Sequence, residues 1–152
     1  MMKVYKNVLI GLDGSDQASA AFERAVKVAK AEGATLHIAH VVDTQSLTTI
    51  DQYAPYNVSI TDAQNYGEKL VDEYIEKAKA AGLENVKKVL ESGSPKRDIP
   101  GKIAEDHNID LIVVGATGLN AIERFLIGSV SENIVRRASC DVLIVREQTE
   151  TE

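Results

Sequence analysis

The sequence contains a single cysteine and no long apolar run, and each shortage excludes a class of protein. Cys140 is the only cysteine among 152 residues, so neither an internal disulfide nor a cysteine-built zinc site can form. The longest uninterrupted apolar runs are short, such as residues 111–114, whereas a membrane-spanning helix requires about 20 apolar residues. The first residues lack the apolar core of a secretory signal. We therefore expect a cytoplasmic protein that has no membrane partner.

Positive charge is also scarce. The chain has 17 Lys and Arg residues against 23 Asp and Glu residues, which gives a formal net charge of −6. Nucleic-acid binding usually depends on a basic surface that replaces the counterions of the phosphates. We therefore expect no nucleic-acid partner, and an anionic ligand would have to be bound by local geometry rather than by the overall field.

Five apolar or β-branched segments alternate with four segments of helical period. The expected strands cover residues 4–12, 35–42, 86–91, 111–114 and 141–145. Continuous apolar strands are typical of a parallel sheet that is covered on both faces. We therefore expect a single α/β domain over residues 1–152, in which a doubly wound, five-stranded parallel sheet of Rossmann-like type carries helices on both faces.

Apolar residues at helical spacing define the expected core faces of the four helices. They are Ala18, Ala21, Phe22, Ala25, Val26 and Ala29 in the first helix, Ala63, Tyr66, Leu70, Val71, Tyr74, Ala78 and Ala81 in the second, Ile99, Ile103 and Ala104 in the third, and Val130, Ile134 and Ala138 in the fourth.

Two sequence patterns predict where helices begin. Thr61 with Gln64, and Ser129 with Glu132, match the capping box at a helix start. Pro100 is compatible only with the first turn of the third helix, because proline has no N–H to donate. The long connection over residues 43–60 shows no period, and we expect it to be a lid or partly disordered.

A glycine-rich segment joins the fourth strand to the fourth helix. Gly115 and Gly118 let backbone amides approach an anion without a Cβ in the way. Gly128 and Ser129 present free amides at a helix start, where the positive end of the dipole favours phosphate. The alternative is that the glycines only form a turn. The Ser129 hydroxyl either caps its helix or donates to a phosphate oxygen.

Isolated polar residues leave further alternatives open. Asp13 follows the first strand, where it either forms a turn before the next helix or binds a ribose hydroxyl or Mg²⁺. His37 and His40 fall on opposite faces of a regularly pleated strand, which favours packed or surface residues over a metal pair.

Longer stretches of the chain match one known family. Residues 8–15 read VLIGLDGS, residues 40–43 read HVVD, residues 110–115 read DLIVVG, and residues 142–146 read VLIVR. Between them, Gly115, Gly118, Gly128 and Ser129 form the pattern G-2x-G-9x-G-S. With these segments the chain resembles the universal stress protein family, specifically the branch that binds ATP through G-2x-G-9x-G-[S/T].

The resemblance implies a set of nucleotide contacts. Those against the nucleoside are Gly11, Leu12 and Asp13, with Asp13 near the ribose or the adenine edge, and the backbone of Val41 lines the adenine pocket. Those around the ribose and phosphates are Gly115, Ala116, Thr117, Gly118, Leu119, Asn120 and Ala121, and those at the phosphate tail are Gly128, Ser129, Val130 and Ser131. The implied ligand is ATP, or AMP or ADP, with Mg²⁺, whose protein ligands are unknown.

The chain departs from the family pattern in two places. Some ATP-binding members have proline and a hydroxyl residue where this chain has Gly11 and Leu12. The common Cys-Pro-Val before the last strand is Cys140, Asp141 and Val142 here. The first departure concerns the nucleoside contacts, and the second concerns the entry into the strand.

The resemblance also implies a homodimer that forms through the last strand, from Val142 to Val145. Cys140 is then a small packed residue near that interface. We expect a nucleotide-binding module in the stress response and identify no catalytic residue. The alternatives are a slow ATP hydrolase or nucleotidyl-transfer enzyme, and an interaction module that uses no nucleotide.

Overall fold

The computed structural model describes residues 5–13, 16–44, 60–116 and 127–146, with the side chains of residues 16 and 17 left out. Five strands form one sheet in the order β3-β2-β1-β4-β5, and every pairing is parallel. The strands are β1 (Asn7–Gly11), β2 (Thr35–Asp43), β3 (Val86–Gly93), β4 (Leu111–Gly115) and β5 (Asp141–Val145). The predicted α/β class and parallel sheet are confirmed.

Helical segments alternate with these strands. They are α1 (Asp16–Glu32), α2 (Ile60–Ala80), α3 (residues 95–106) and α4 (Ser129–Arg137). The α3 segment has an α-helical start, Pro95–Asp98, a π-helical middle, Ile99–Ile103, and an α-helical end, Ala104–Asp106. Among the described residues, none of the helices combines the length and apolar character needed to cross a membrane.

The two faces of the sheet carry separate apolar cores. On one face, side chains such as Val8, Leu36 and Val113 pack against α1 and α2. On the other face, Leu9, Ala39 and Ile112 form a buried cluster with residues of α3 and α4. Because neighbouring strand residues alternate between the faces, both cores draw on the same strands and the sheet is buried on both sides.

The predicted core face of α1 is fully confirmed, whereas that of α2 is partly wrong. Tyr66 is 55% exposed, and Ala81 is exposed just beyond the end of the helix. Gly67 is buried instead, because its Cα faces His40 and Leu90 on the sheet so closely that a side chain would collide with them. In α4, Val130 is likewise exposed while Ser131 is buried.

Both predicted capping boxes are wrong. The α2 helix begins at Ile60, so Thr61 lies inside it, and Gln64 donates to the Ser92 hydroxyl. The α4 helix begins at Ser129 with Gly128 as its N-cap residue, and within the described part of the chain no side chain makes a capping hydrogen bond there. In both places, the residue that the pattern assigns as the cap already lies inside the helix.

The position of Pro100 also differs from the prediction. The α3 segment begins at Pro95, so Pro100 lies beyond the first turn, within the π-helical stretch. In a regular α-helix, a proline there would remove a hydrogen bond and clash with the carbonyl one turn earlier. The wider π turn accommodates the ring, and it keeps Ile99 and Ile103 in the core.

His37 is a buried histidine near the amino ends of the strands. Its side chain is only 3% exposed, and its ring lies 5.3 Å from the ring of His107. His37 Nε2 donates to Asn7 Oδ1 at 3.1 Å, while Nδ1 has no partner among the described residues. The pKa of His37 is lowered from 6.5 to about 4, mainly by burial and to a smaller extent by the charges of His107 and Lys87.

The depressed pKa predicts a loss of stability in acid. Because the folded state binds this proton less readily than the unfolded state, His37 contributes full stability above about pH 6.5, and the contribution is lost as the pH falls towards 4. We expect the free energy of unfolding to drop by about 2 kcal/mol over this window from His37. Denaturant unfolding at pH 7 and at pH 4.5 measures the effect.

The matched variant is His37→Gln, whose amide can still donate to Asn7 and does not titrate. We expect it to flatten the pH dependence in this window. His107→Gln is the control and should retain most of the dependence, because burial of His37 is the main cause of its shift. An unchanged slope in His37→Gln would contradict this account.

Candidate functional site

The candidate site lies where the carboxyl ends of β1 and β4 meet. These strands are neighbours in the sheet, although β2 and β3 separate them along the chain. The chain leaves β1 towards β2 and β3 on one side, and later returns to β4 and β5 on the other side. Such a reversal leaves a crevice between the two strand ends, and this is where open α/β sheets bind ligands.

The turn after β1 is fixed to β2 through Leu12. The Leu12 amide donates to the Ala39 carbonyl at 2.8 Å, and the Leu12 carbonyl accepts from His40 Nδ1 at 2.8 Å. The Leu12 side chain is 5% exposed and packs in the core beneath. The next residue, Asp13, is exposed. The backbone thus emerges from the sheet at an anchored residue and presents a carboxylate immediately after it.

Gly11 ends β1 close to the α3 segment. A Cβ at this position would lie 3.2 Å from Ile99 Cδ1, which is tighter than ordinary packing. Gly11, which stands where some ATP-binding family members have proline, therefore lies against the bulky side chain of Ile99. Val41 lies in the adjacent strand β2, where it is buried on the same face of the sheet as Ile99.

The start of α4 is held against the end of β4 by two hydrogen bonds. The Gly128 amide donates to the Ala116 carbonyl at 2.8 Å, and the buried Ser131 hydroxyl donates to the Gly115 carbonyl. Ala116 is itself bound to β5, because its amide donates to the Val145 carbonyl at 3.0 Å. The strand end and the helix start therefore form one unit, and the hydroxyl of Ser131 is engaged within it.

The first turn of α4 exposes backbone amides at this edge. Gly128 has φ −66° and ψ 161°, and the Glu132 amide donates back to its carbonyl. The first amides of a helix lack partners within it and lie at the positive end of its dipole. Ser129 and Val130 are exposed there. The interpretation of Ser129 as a helix cap is wrong, because Ser129 is the first helical residue.

The nearby carboxylate of Asp98 is engaged within the protein. It is buried after the end of β3, where it accepts hydrogen bonds from Arg97 Nε at 2.9 Å and from the Ser94 amide at 3.1 Å. The hydrogen bond from Arg97, followed by that from Ser94, lowers the pKa of Asp98. Among residues 5–13, 16–44, 60–116 and 127–146, no three His, Cys, Asp or Glu side chains are grouped as metal ligands.

The structure brings most of the described candidate residues to one edge of the sheet. Gly11, Leu12 and Asp13 follow β1, Gly115 and Ala116 end β4, and the residues from Gly128 to Ser131 begin α4. Thr117, Gly118, Leu119, Asn120 and Ala121 lie outside the described residues, as does most of the long connection, residues 45–59.

Sequence reasoning missed two residues that shape this edge. His40 contacts the backbone of Leu12, and Gly67 leaves room for the His40 ring. The alternation along β2 placed His40 on the face opposite His37, as observed. The pattern contained no signal that the ring binds a carbonyl 28 residues away along the chain.

Comparisons with known proteins identify the family of this chain. The model of the Universal stress protein family matches residues 4–146. A universal stress protein of Staphylococcus aureus (strain USA300) is 49% identical over 148 residues, which cover 97% of this chain and 87% of that protein.

Two solved structures illustrate the similarity in fold. A universal stress protein in complex with cAMP is 34% identical with a TM-score of 0.66, and the match covers 93% of this chain and 97% of that chain. The protein MJ0577 is 24% identical with a TM-score of 0.82, over 97% of this chain and 99% of that chain. On the family match and the 49% identity to a member, the chain belongs to the universal stress protein family.

Proposed function

We propose that this protein binds an adenine nucleotide, ATP or its relatives AMP and ADP, in the crevice between the ends of β1 and β4. In this proposal the turn at Gly11, Leu12 and Asp13 and the backbone of Val41 contact the nucleoside. The glycine segment and the first turn of α4 hold the phosphates. The nucleotide regulates a dimeric module of the cytoplasmic stress response.

The observation that carries the proposal is the glycine at the N-cap of α4. The backbone of Gly128 is extended, with φ −66° and ψ 161°, a conformation open to any residue. Glycine is therefore not required there by a left-handed turn. Ser, Thr, Asp, Asn and Gly are all favoured at N-caps, but only the first four have a side-chain oxygen that satisfies a free amide. A glycine leaves those amides to an external acceptor, and phosphate oxygens suit them in charge and geometry.

Two further observations support the proposal. The spacing of Gly115, Gly118, Gly128 and Ser129 matches the G-2x-G-9x-G-[S/T] pattern of the ATP-binding branch. A family member 34% identical to this chain was solved in complex with cAMP, which also combines adenine, ribose and phosphate. Both the pattern and that ligand are consistent with phosphate at the start of α4.

The residues at this edge also fit Mg²⁺ carried by the nucleotide. Proteins bind Mg²⁺ through one or two carboxylates together with substrate phosphates, and not through a complete protein cage. Asp13 is the exposed carboxylate that follows β1. Bound Mg²⁺ would neutralise phosphate charge and reduce repulsion from this carboxylate. The role of the protein itself is to hold the nucleotide, through the anchored turn at Leu12 and the backbone amides at the start of α4.

The same residues favour binding over turnover. Residues 11–13, 115–116 and 127–131 contain no lysine or arginine, and the first basic residue of the glycine segment is Arg124. Phosphoryl transfer depends on positioned cations and an oriented nucleophile. We therefore propose a binding protein with at most slow ATP hydrolysis.

Substitution of Gly128 tests the proposal because the expected effects on stability and on binding are opposite. Gly128→Asp adds a capping carboxylate, so we expect the free energy of unfolding to rise by about 0.3 kcal/mol. The same carboxylate would occupy the amides and repel phosphate, so ATP affinity should fall at least about tenfold. Gly128→Asn is the matched control for charge, because its side chain caps the helix without a charge. It should therefore lower the affinity for ATP less than Gly128→Asp does.

The measurements are denaturant unfolding and titration calorimetry with Mg-ATP, AMP and cAMP on nucleotide-free protein. Unfolding by denaturant reports the capping effect without nucleotide. If both Gly128 variants bind these nucleotides with the same affinity as the parent protein, the phosphates lie elsewhere. A parent protein that binds none of the three nucleotides would overturn the proposal and favour a nucleotide-independent interaction module.

We also propose that two copies pair through β5. In the described part of the chain, β5 pairs with β4 alone, so its other side is an open edge. Exposed Lys87 and Lys88 interrupt the opposite edge strand, β3, as is common in edges that avoid pairing. Residues 142–145 of β5 carry no charge. A second copy of this strand would satisfy the open edge.

Proline substitution at the open edge tests the dimer. The Val145 carbonyl accepts from Ala116 and therefore points towards β4. By strand alternation, the N–H groups of Val142 and Ile144 point to the open edge. Val142→Pro should therefore spare the β4 pairing and convert a dimer to a monomer in sedimentation velocity. Val142→Thr, which keeps both shape and N–H, should remain dimeric. A monomeric parent, or a dimeric Val142→Pro, would contradict pairing through β5.

A further inference from the structure

We infer that His40 is a positioning residue for the nucleotide site. Its ring fixes the carbonyl of Leu12, which fixes the direction in which Asp13 leaves β1. Gly67 of α2 provides the space that the ring occupies. The inference rests on the proposed function, and it names residues outside the glycine segment that control affinity at the site.

The contact between His40 and Leu12 determines the state of the ring. A carbonyl oxygen only accepts hydrogen bonds, so at 2.8 Å the His40 Nδ1 must carry the hydrogen. Leu12 is thereby held at both of its backbone groups, since its amide donates to Ala39. Because Leu12 is 5% exposed, water has little access to replace the ring as a donor to its carbonyl.

The α2 helix determines where the ring can lie. A Cβ at Gly67 would lie 2.5 Å from His40 Cδ2 and 3.1 Å from Nε2, so any side chain there would displace the ring. The neighbouring Tyr66 meets the ring edge to face, with centroids 6.2 Å apart. The buried glycine of α2 and the histidine of β2 therefore form one contact.

The consequence for the ligand follows from the position of Leu12. It is the last buried residue before the exposed Asp13, at the crevice between β1 and β4. Loss of the donor would leave a buried carbonyl without a partner, and the turn would have to shift to reach another donor. The shift would move Asp13 relative to the amides of α4, and nucleotide affinity would fall although no ligand contact was removed.

Two substitutions of His40 separate positioning from packing. The side-chain amide of Asn places a donor close to the position of Nδ1, so His40→Asn should bind Mg-ATP within about threefold of the parent. His40→Leu fills space but has no donor, and we expect about tenfold weaker binding. Rescue by Asn but not by Leu identifies the hydrogen bond as the cause. Equal losses in both variants would show that the ring acts only by packing.

Two glycine-to-alanine substitutions test the role of α2. Gly67→Ala should weaken Mg-ATP binding about as much as His40→Leu, and combining the two should add little further loss. Gly101→Ala is the matched control, because nothing lies within 4 Å of a Cβ at that position, and it should leave affinity unchanged. Fully additive losses in the double variant would contradict a path through His40.

Nuclear magnetic resonance of the nucleotide-free protein provides a readout that does not depend on the proposed function. Nitrogen-15 shifts of His40 should show hydrogen on Nδ1. Amide exchange at Leu12 should quicken in His40→Leu and not in His40→Asn. Hydrogen on Nε2 of His40, or unchanged exchange at Leu12, overturns the inference even where nucleotide binds. If the Leu12 amide exchanges fast in His40→Leu but the parent protein binds no nucleotide, His40 fixes the turn and the proposed nucleotide binding is refuted.

Discussion

The parallel pairing of β1 with both β2 and β4 is the constraint on which the candidate site depends. Because β1 has neighbours on both sides, the chain can leave it in one direction and return in the other. The ends of β1 and β4 are therefore adjacent in space while their outgoing connections diverge. Leu12 marks one side of the resulting crevice and Ala116 marks the other.

Each side of the crevice is held by a side chain that donates to a backbone carbonyl. His40 donates to Leu12 on the β1 side, and Ser131 donates to Gly115 on the β4 side. Carbonyls of the buried backbone are costly to leave unpaired, so both bonds resist displacement by a ligand. A crevice whose borders are fixed before binding requires less ordering when a ligand enters, and this favours affinity for a small molecule.

The strands and α1 could be predicted from the sequence because side-chain hydrophobicity determines their burial. The errors fall where backbone contacts decide the outcome. Gly67 has no side chain to enter a hydrophobic pattern, so Tyr66 was expected in its place. The capping pattern at Ser129 could not show that Gly128, which has no side chain, occupies the N-cap of α4. Candidate residues from Gly11 to Asp13 and from Gly128 to Ser131 reach one edge as expected, but the contact of His40 depends on tertiary structure. Residues 117–121 remain a prediction.

The glycine at the start of α4 has a consequence for turnover of the protein in the cell. A helix that begins without its own capping side chain frays more readily, and fraying exposes backbone to proteases. A phosphate bound to the same amides would close the helix and slow that cleavage. Under the proposed function, cleavage at the start of α4 would therefore depend on whether nucleotide is bound.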